Sequence, residues 1–75
     1  MNYTFFDRNN GQFGELGASG IQALLEREYG SVGQDGLVLP SPISAAIDLI
    51  PKLKAGQYCY AGKYVITAVI GGVIV

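Results

Sequence analysis

Histidine is absent from this 75-residue chain, and cysteine occurs once. The commonest general base and metal ligand at neutral pH is therefore missing. Cys59 lies between two tyrosines in "QYCYAGK" with no general base beside it. An apolar setting raises a thiol's pKa and keeps it inert, so Cys59 reads as structural. The six carboxylates, Asp7, Glu15, Glu26, Glu28, Asp35 and Asp48, are dispersed and form no metal-ligand spacing. Glu26 and Glu28 share a helical segment but point to different sides, so they are not a paired-carboxylate site. Asp7 and Asp35 stand in turn sequences, where Asp commonly accepts local backbone hydrogen bonds. No G-x-G-x-x-G and no Gly-Lys-Ser/Thr loop is present for a nucleotide. The expectation is a non-enzymatic chain with no catalytic residue, no metal ligand and no cofactor.

What remains is contact chemistry. Tyrosines at 3, 29, 58, 60 and 64 carry amphipathic rings of the kind enriched at interfaces. The candidate partner-contact residues are Tyr3, Phe5, Phe6, Tyr58, Tyr60, Tyr64, Val69, Val73, Ile74 and Val75. Tyr3, Phe5 and Phe6 either enter a partner's pocket or pack on the chain's own helix. Arg8, Arg27, Lys52, Lys54 and Lys63 are scattered among the acids, and the net charge is −1. That leaves no electrostatic footprint for nucleic acid.

Hydrophobic residues make up 49% of the chain and charged residues 15%, with mean hydropathy +0.30. A domain this short buries only about 60% of the surface its unfolded form exposes. The excess apolar surface must then be covered by another copy, a different protein or lipid. One small domain completed by other protein subunits is expected. The single cysteine excludes an internal disulfide framework. The first ten residues, "MNYTFFDRNN", lack a basic n-region, a long apolar run and a small-residue cleavage site, so no secretory signal is expected.

The elements that position these residues follow from local chemistry. "YTFF" is β-prone and "DRNNG" is turn chemistry, giving a short strand or an anchoring arm. Glycines recur at every third position at 11, 14, 17 and 20, and again at 30, 33 and 36. Both runs are too short for a triple helix and read as surface-hugging loops using positive φ. A helix is expected over 19–30, with Ser19 as cap, Gln22 completing a capping box and Gly30 as a left-handed stop. Its stripe is Ile21, Leu24 and Leu25. Leu37 to Leu39 is briefly extended. A second helix is expected over 41–51, with Ser41 as cap and Pro42 in its first turn. Ile43, Ala46, Ile47 and Ile50 form its stripe, and Pro51 ends or kinks it.

Residues 57–75 read as a hairpin turning at "AGK" and an apolar terminal strand. Within "YVITAVIGGVIV" eight of twelve residues are β-branched and none is charged. Val65, Thr67, Val69, Val73 and Val75 share one face; Ile66, Ala68, Ile70 and Ile74 share the other. Both faces being apolar predicts a strand covered on both sides, bent at Gly71-Gly72. The preceding strand is too short to pair with all of it, which predicts strand addition to a neighbour.

The fold class expected is α+β: two short helices and a C-terminal hairpin, with residues 1–20 as an N-terminal arm and Gly-rich loop. The function expected is a structural or assembly subunit, with a minor or cementing protein of a virus or phage particle as its narrower form. Its place would be a virion or a cytoplasmic assembly. One alternative is a small membrane-associated subunit or membrane-active peptide, with 58–75 in lipid. The other is a soluble inhibitor-type module that docks by an edge strand.

Overall fold

Phe6 and Phe13 flank the turn-forming "DRNNGQ", and in the computed structural model, which describes residues 2–69, they face each other across a hairpin. Its strands are β1 (Asn2–Asp7) and β2 (Phe13–Gly17). The Asp7 carboxylate organises the turn by accepting the Asn9 N–H at 2.8 Å and the Asn10 N–H at 3.4 Å. Residues 2–7 and 13–17 are thus paired strands joined by a turn, so "YTFF" is the short strand and not the arm, and the glycine-rich loop expected after it is corrected beyond the turn itself. The glycines of the first run serve different ends: Gly11 takes the expected positive φ, +75°, in the turn, whereas Gly14 is set by packing. Gly14 lies opposite Phe5, and a Cβ there would run into the Phe5 ring.

Strand β2 runs without a loop into α1 (Ala18–Tyr29). The extended Gly17 therefore occupies the N-cap and no side chain caps the helix. The expected Ser19–Gln22 capping box does not form; Gln22 instead donates to Glu26 one turn on, at 3.2 Å. Gly30 is extended, at φ −78°, rather than left-handed, because the chain enters β3 (Ser31–Gly33) at the next residue. β3 pairs with β4 (Gly36–Val38) through a two-residue turn and forms a separate small sheet. Helix α2 (Ser41–Leu49) starts at its expected cap residue, so that Pro40, one residue earlier, is the N-cap. It tightens into a 3-10 turn at Ile50–Lys52, where Pro51 cannot supply the next helical donor.

The hairpin of β5 (Tyr58–Ala61) and β6 (Tyr64–Ala68) turns at Gly62, whose φ of +61° favours glycine. All four long strands form one antiparallel sheet in the order β2-β1-β6-β5. The fold is therefore α+β. Both helices cover the same side of the sheet: Ile21, Leu24 and Leu25 of α1, with Ile43, Ala46 and Ile50 after them, pack on Tyr3, Cys59, Ala61, Tyr64, Ile66 and Ala68.

One expectation for the C-terminal strand is corrected, its cover on both faces, while the strand addition expected of the distal residues falls on 70–75, outside those described. β6 is central and finds its second partner inside the chain, since β1 pairs with it from Tyr3↔Ala68 to Asp7↔Tyr64. It is also covered on one face only: Tyr64, Ile66 and Ala68 are buried, whereas Val65, Thr67 and Val69 are half-exposed. Gly71, Gly72, Val73, Ile74 and Val75 lie outside the described residues. Among those described, no helix is long and apolar enough to cross a membrane. Tyr58–Ala61 and Tyr64–Ala68 are strands, which corrects the alternative of a lipid-spanning helix starting at Tyr58.

Candidate interaction surface

The two faces of the sheet have opposite chemistry. On the covered face, the turn residue Lys63 reaches two carboxylates, Asp7 Oδ2 at 3.4 Å and Glu28 Oε1 at 3.1 Å. Tyr64 donates its phenol O–H to the same Glu28 oxygen at 2.8 Å, and the Lys63 N–H donates to Tyr29 Oη at 2.7 Å. Asp7 is only 1% exposed. Burial pushes its carboxyl up, but the Asn9 and Asn10 amides and Lys63 outweigh that and hold it below its ordinary value. The Tyr64 hydroxyl and then Lys63 hold Glu28 below its ordinary value as well. Between them Lys63 is pushed up, chiefly by Glu28. Burial, reinforced by Glu28, raises the Tyr64 phenol. A lysine kept charged by two carboxylates is neither a nucleophile nor a base at neutral pH. The network cross-links α1, β1 and the β5–β6 turn.

Beside it, α1 and β2 leave an open groove of about 690 Å³, with Phe5, Leu16 and Leu24 on its apolar side and Gln12, Arg27 and Glu28 on its polar side. The Glu28 oxygen nearest the network is already shared by Lys63 and Tyr64. Cys59 is buried in the core, and that burial raises its thiol pKa. Among the described residues no group of His, Cys, Asp or Glu side chains is arranged to hold a metal ion.

The uncovered face is aromatic. β-strand alternation places Phe6 and Thr4 of β1, Phe13 and Glu15 of β2, Val65 and Thr67 of β6, and Tyr58 and Tyr60 of β5 on it. Phe13 is 66% exposed, Tyr58 60% and Tyr60 59%. The two tyrosine rings are ordered by one another and by a cation. Tyr58 and Tyr60 meet edge to face at 5.9 Å, and the Arg8 guanidinium lies 4.9 Å from the Tyr60 ring centre. Arg8 Nη2 also donates to the Gly62 carbonyl at 2.5 Å, fixing the β1–β2 turn to the β5–β6 turn. Fixed aromatic rings projecting from a flat sheet lose little side-chain freedom when a partner covers them.

The ten contact residues expected from sequence divide by face. Phe6, Tyr58 and Tyr60 are on the open face, with Val69 half-exposed at its margin. Tyr3 and Tyr64 are buried in the chain's own core, and Phe5 packs edge to face on Tyr64 at 6.0 Å. The inward strand period consumes Tyr3 and Tyr64, which are withdrawn as partner contacts, and leaves Phe5 half-buried at the groove. Val73, Ile74 and Val75 lie outside the described residues. Sequence reasoning missed Phe13, because the glycine spacing drew its segment as loop. The signal was present in Phe13-Gly-Glu-Leu-Gly, placed across a turn from "YTFFD". It also missed the exposed Val32, Leu37 and Val38 of the β3–β4 hairpin.

No family model, curated protein or solved structure matches the chain. The functional reading therefore rests on the geometry of this face.

Proposed function

We propose that this chain is a non-enzymatic assembly subunit that binds other protein subunits through the open face of its four-stranded sheet. One observation carries the reading: four large aromatic side chains, Phe6, Phe13, Tyr58 and Tyr60, are exposed together on a sheet whose opposite face already holds the core. A contiguous apolar patch of this kind on a small domain marks an interaction site. The face holds Arg8 as its cation and Glu15 as its carboxylate, which suits a protein surface better than a polyanion. The narrower setting we propose is a minor or cementing position in a virus or phage particle, in the virion or a cytoplasmic assembly. That role asks for interface area from a short chain and for no cofactor.

Gradient sedimentation of extracts from cells that produce the chain tests the reading. The native chain is expected to travel with a large particle, and the doubly substituted Phe13→Glu/Tyr60→Glu chain to stay with small species at an unchanged melting temperature. A native chain that runs only as a free small protein overturns it.

One observation favours a second reading, an inhibitor-type binding module. β6 has strands on both sides within the chain, so the domain closes its own central strand. That module predicts a single one-to-one complex in place of a multi-copy particle.

A further inference from the structure

We infer that the open sheet face is closed by a second copy of this chain, packed sheet against sheet about a two-fold axis parallel to the strands. The inference rests on the interface reading above and names its partner. From edge to edge, the first cross-strand row on this face is Phe13, Phe6, Val65 and Tyr60, and the second is Glu15, Thr4, Thr67 and Tyr58. An axis midway between β1 and β6 exchanges β2 with β5 and β1 with β6. It lays Phe13 on Tyr60 of the second copy and Phe6 on Val65. The first row is thus apolar against apolar at all four positions. In the second row Thr4 meets Thr67, hydroxyl facing hydroxyl, and Glu15 meets the Tyr58 phenol, a donor for its carboxylate. An axis running across the strands through the first row would lay each of its residues on its own copy but carry the second row over the two turns, losing the Thr4–Thr67 and Glu15–Tyr58 matches.

Charge agrees with self-association. Arg8 is held on its own copy by the Gly62 carbonyl and the Tyr60 ring, and Glu15 accepts from Asn2 Nδ2 at 2.9 Å. With a net charge of −1, two copies repel little. Aligned packing of two sheets, with their strands within about 30° of each other, keeps the central columns in register. Area sets the strength. Four strands spaced about 4.8 Å apart, with about 3.3 Å of rise for each of five residues, outline roughly 300 Å² of projected face. That falls below the ~800 Å² per partner of a standard interface, so a weak dimer is expected, one that dissociates in the micromolar range or above.

Sedimentation equilibrium of the full chain over about 5 to 500 µM spans that range. The native chain and Val32→Glu, altered on the separate β3–β4 hairpin, are expected to show the same reversible monomer–dimer equilibrium. Phe13→Glu and Tyr60→Glu are expected to weaken it at least tenfold. As a readout without substitution, amide NMR shifts on dilution should move at Thr4, Phe6, Phe13, Tyr60, Val65 and Thr67. A native monomer throughout overturns the inference, as does a dimer broken by Val32→Glu and untouched by the face variants. If that monomer still joins a large particle through Phe13 and Tyr60, the second copy is wrong and the interface reading stands. If the face variants alter neither assay, both are wrong.

Discussion

Replacing Ile66 by alanine tests the burial of the central strand directly. Ile66 is fully buried on β6, with Phe5 of β1 on one side and Cys59 of β5 on the other. The substitution removes three carbons, worth about 0.8 kcal/mol each in transfer, or roughly 2.4 kcal/mol. A residual cavity adds to this, because neighbours fixed in a sheet relax only partly, and the measured range for such changes is about 2–5 kcal/mol. A domain of this length holds only about 4–11 kcal/mol in total. At roughly 4–8 °C per kcal/mol, a 3 kcal/mol loss lowers the melting temperature by about 12–24 °C. The assay is thermal and urea unfolding followed by circular dichroism, with Val65→Ala as the paired variant. Val65 is one residue away and half-exposed, and its truncation is expected to cost about 1 kcal/mol or less. A Val65→Ala loss equal to or larger than that of Ile66→Ala would refute the reasoning. A one-residue slip of β6 exchanges its faces, so that result would put the core on the side described as open.

The acid limb of stability should follow Asp7 and Glu28. Folding lowers both pKa values from ordinary values of 3.8 and 4.5, so their contribution is complete above that range and fades as pH falls through it. Asp7→Asn should flatten this limb in melts taken from pH 7 to 2; an unchanged limb removes Asp7 as its source. At the alkaline end Lys63 and Tyr64 are both raised from ordinary values of 10.5 and 10.0. Their contribution is complete below pH 10 and declines above it, and Lys63→Met should abolish most of that decline. Cys59 should resist a thiol reagent in the native chain and react promptly in denaturant, since burial both hides the sulfur and disfavours the thiolate. Equal rates in the two states would mean that β5 opens freely.

Those features were unequally legible in the sequence. Both helices could be read because Ile21, Leu24 and Leu25, and then Ile43, Ala46 and Ile50, repeat at 3.6 and end at glycine or proline. Their caps could not, because what decided them was the absence of a loop: Gly17 passes from strand to helix and Gly30 from helix to strand in single steps. The β5–β6 hairpin was carried by its turn and its tyrosines. Its pairing with β1 was not, since strand partners nearly the full chain apart leave no local mark. That one long-range pairing decided the rest. It buried Tyr3 and Tyr64, placed Asp7 against Lys63, and set Phe6 and Phe13 in one cross-strand row with Val65 and Tyr60. The aromatic character of the open face was visible residue by residue, and its location required the sheet order.

The pairing of β1 with β6 also fixes when this domain becomes a domain. Each residue of β1 waits about sixty residues for its partner on β6. At translation rates of about 5–20 residues per second, that interval is roughly 3–12 s, spent with β1 presenting a bare backbone edge. During it the chain has one finished hairpin, a helix with half its packing surface, and no sheet centre. Folding therefore cannot proceed alongside synthesis from the amino terminus; it must close in one late event when Tyr64 to Ala68 emerges. A chain interrupted before that point would expose Tyr3 and Phe5 on a strand paired only with β2, and would be a substrate for holdases and proteases rather than a smaller version of the same fold.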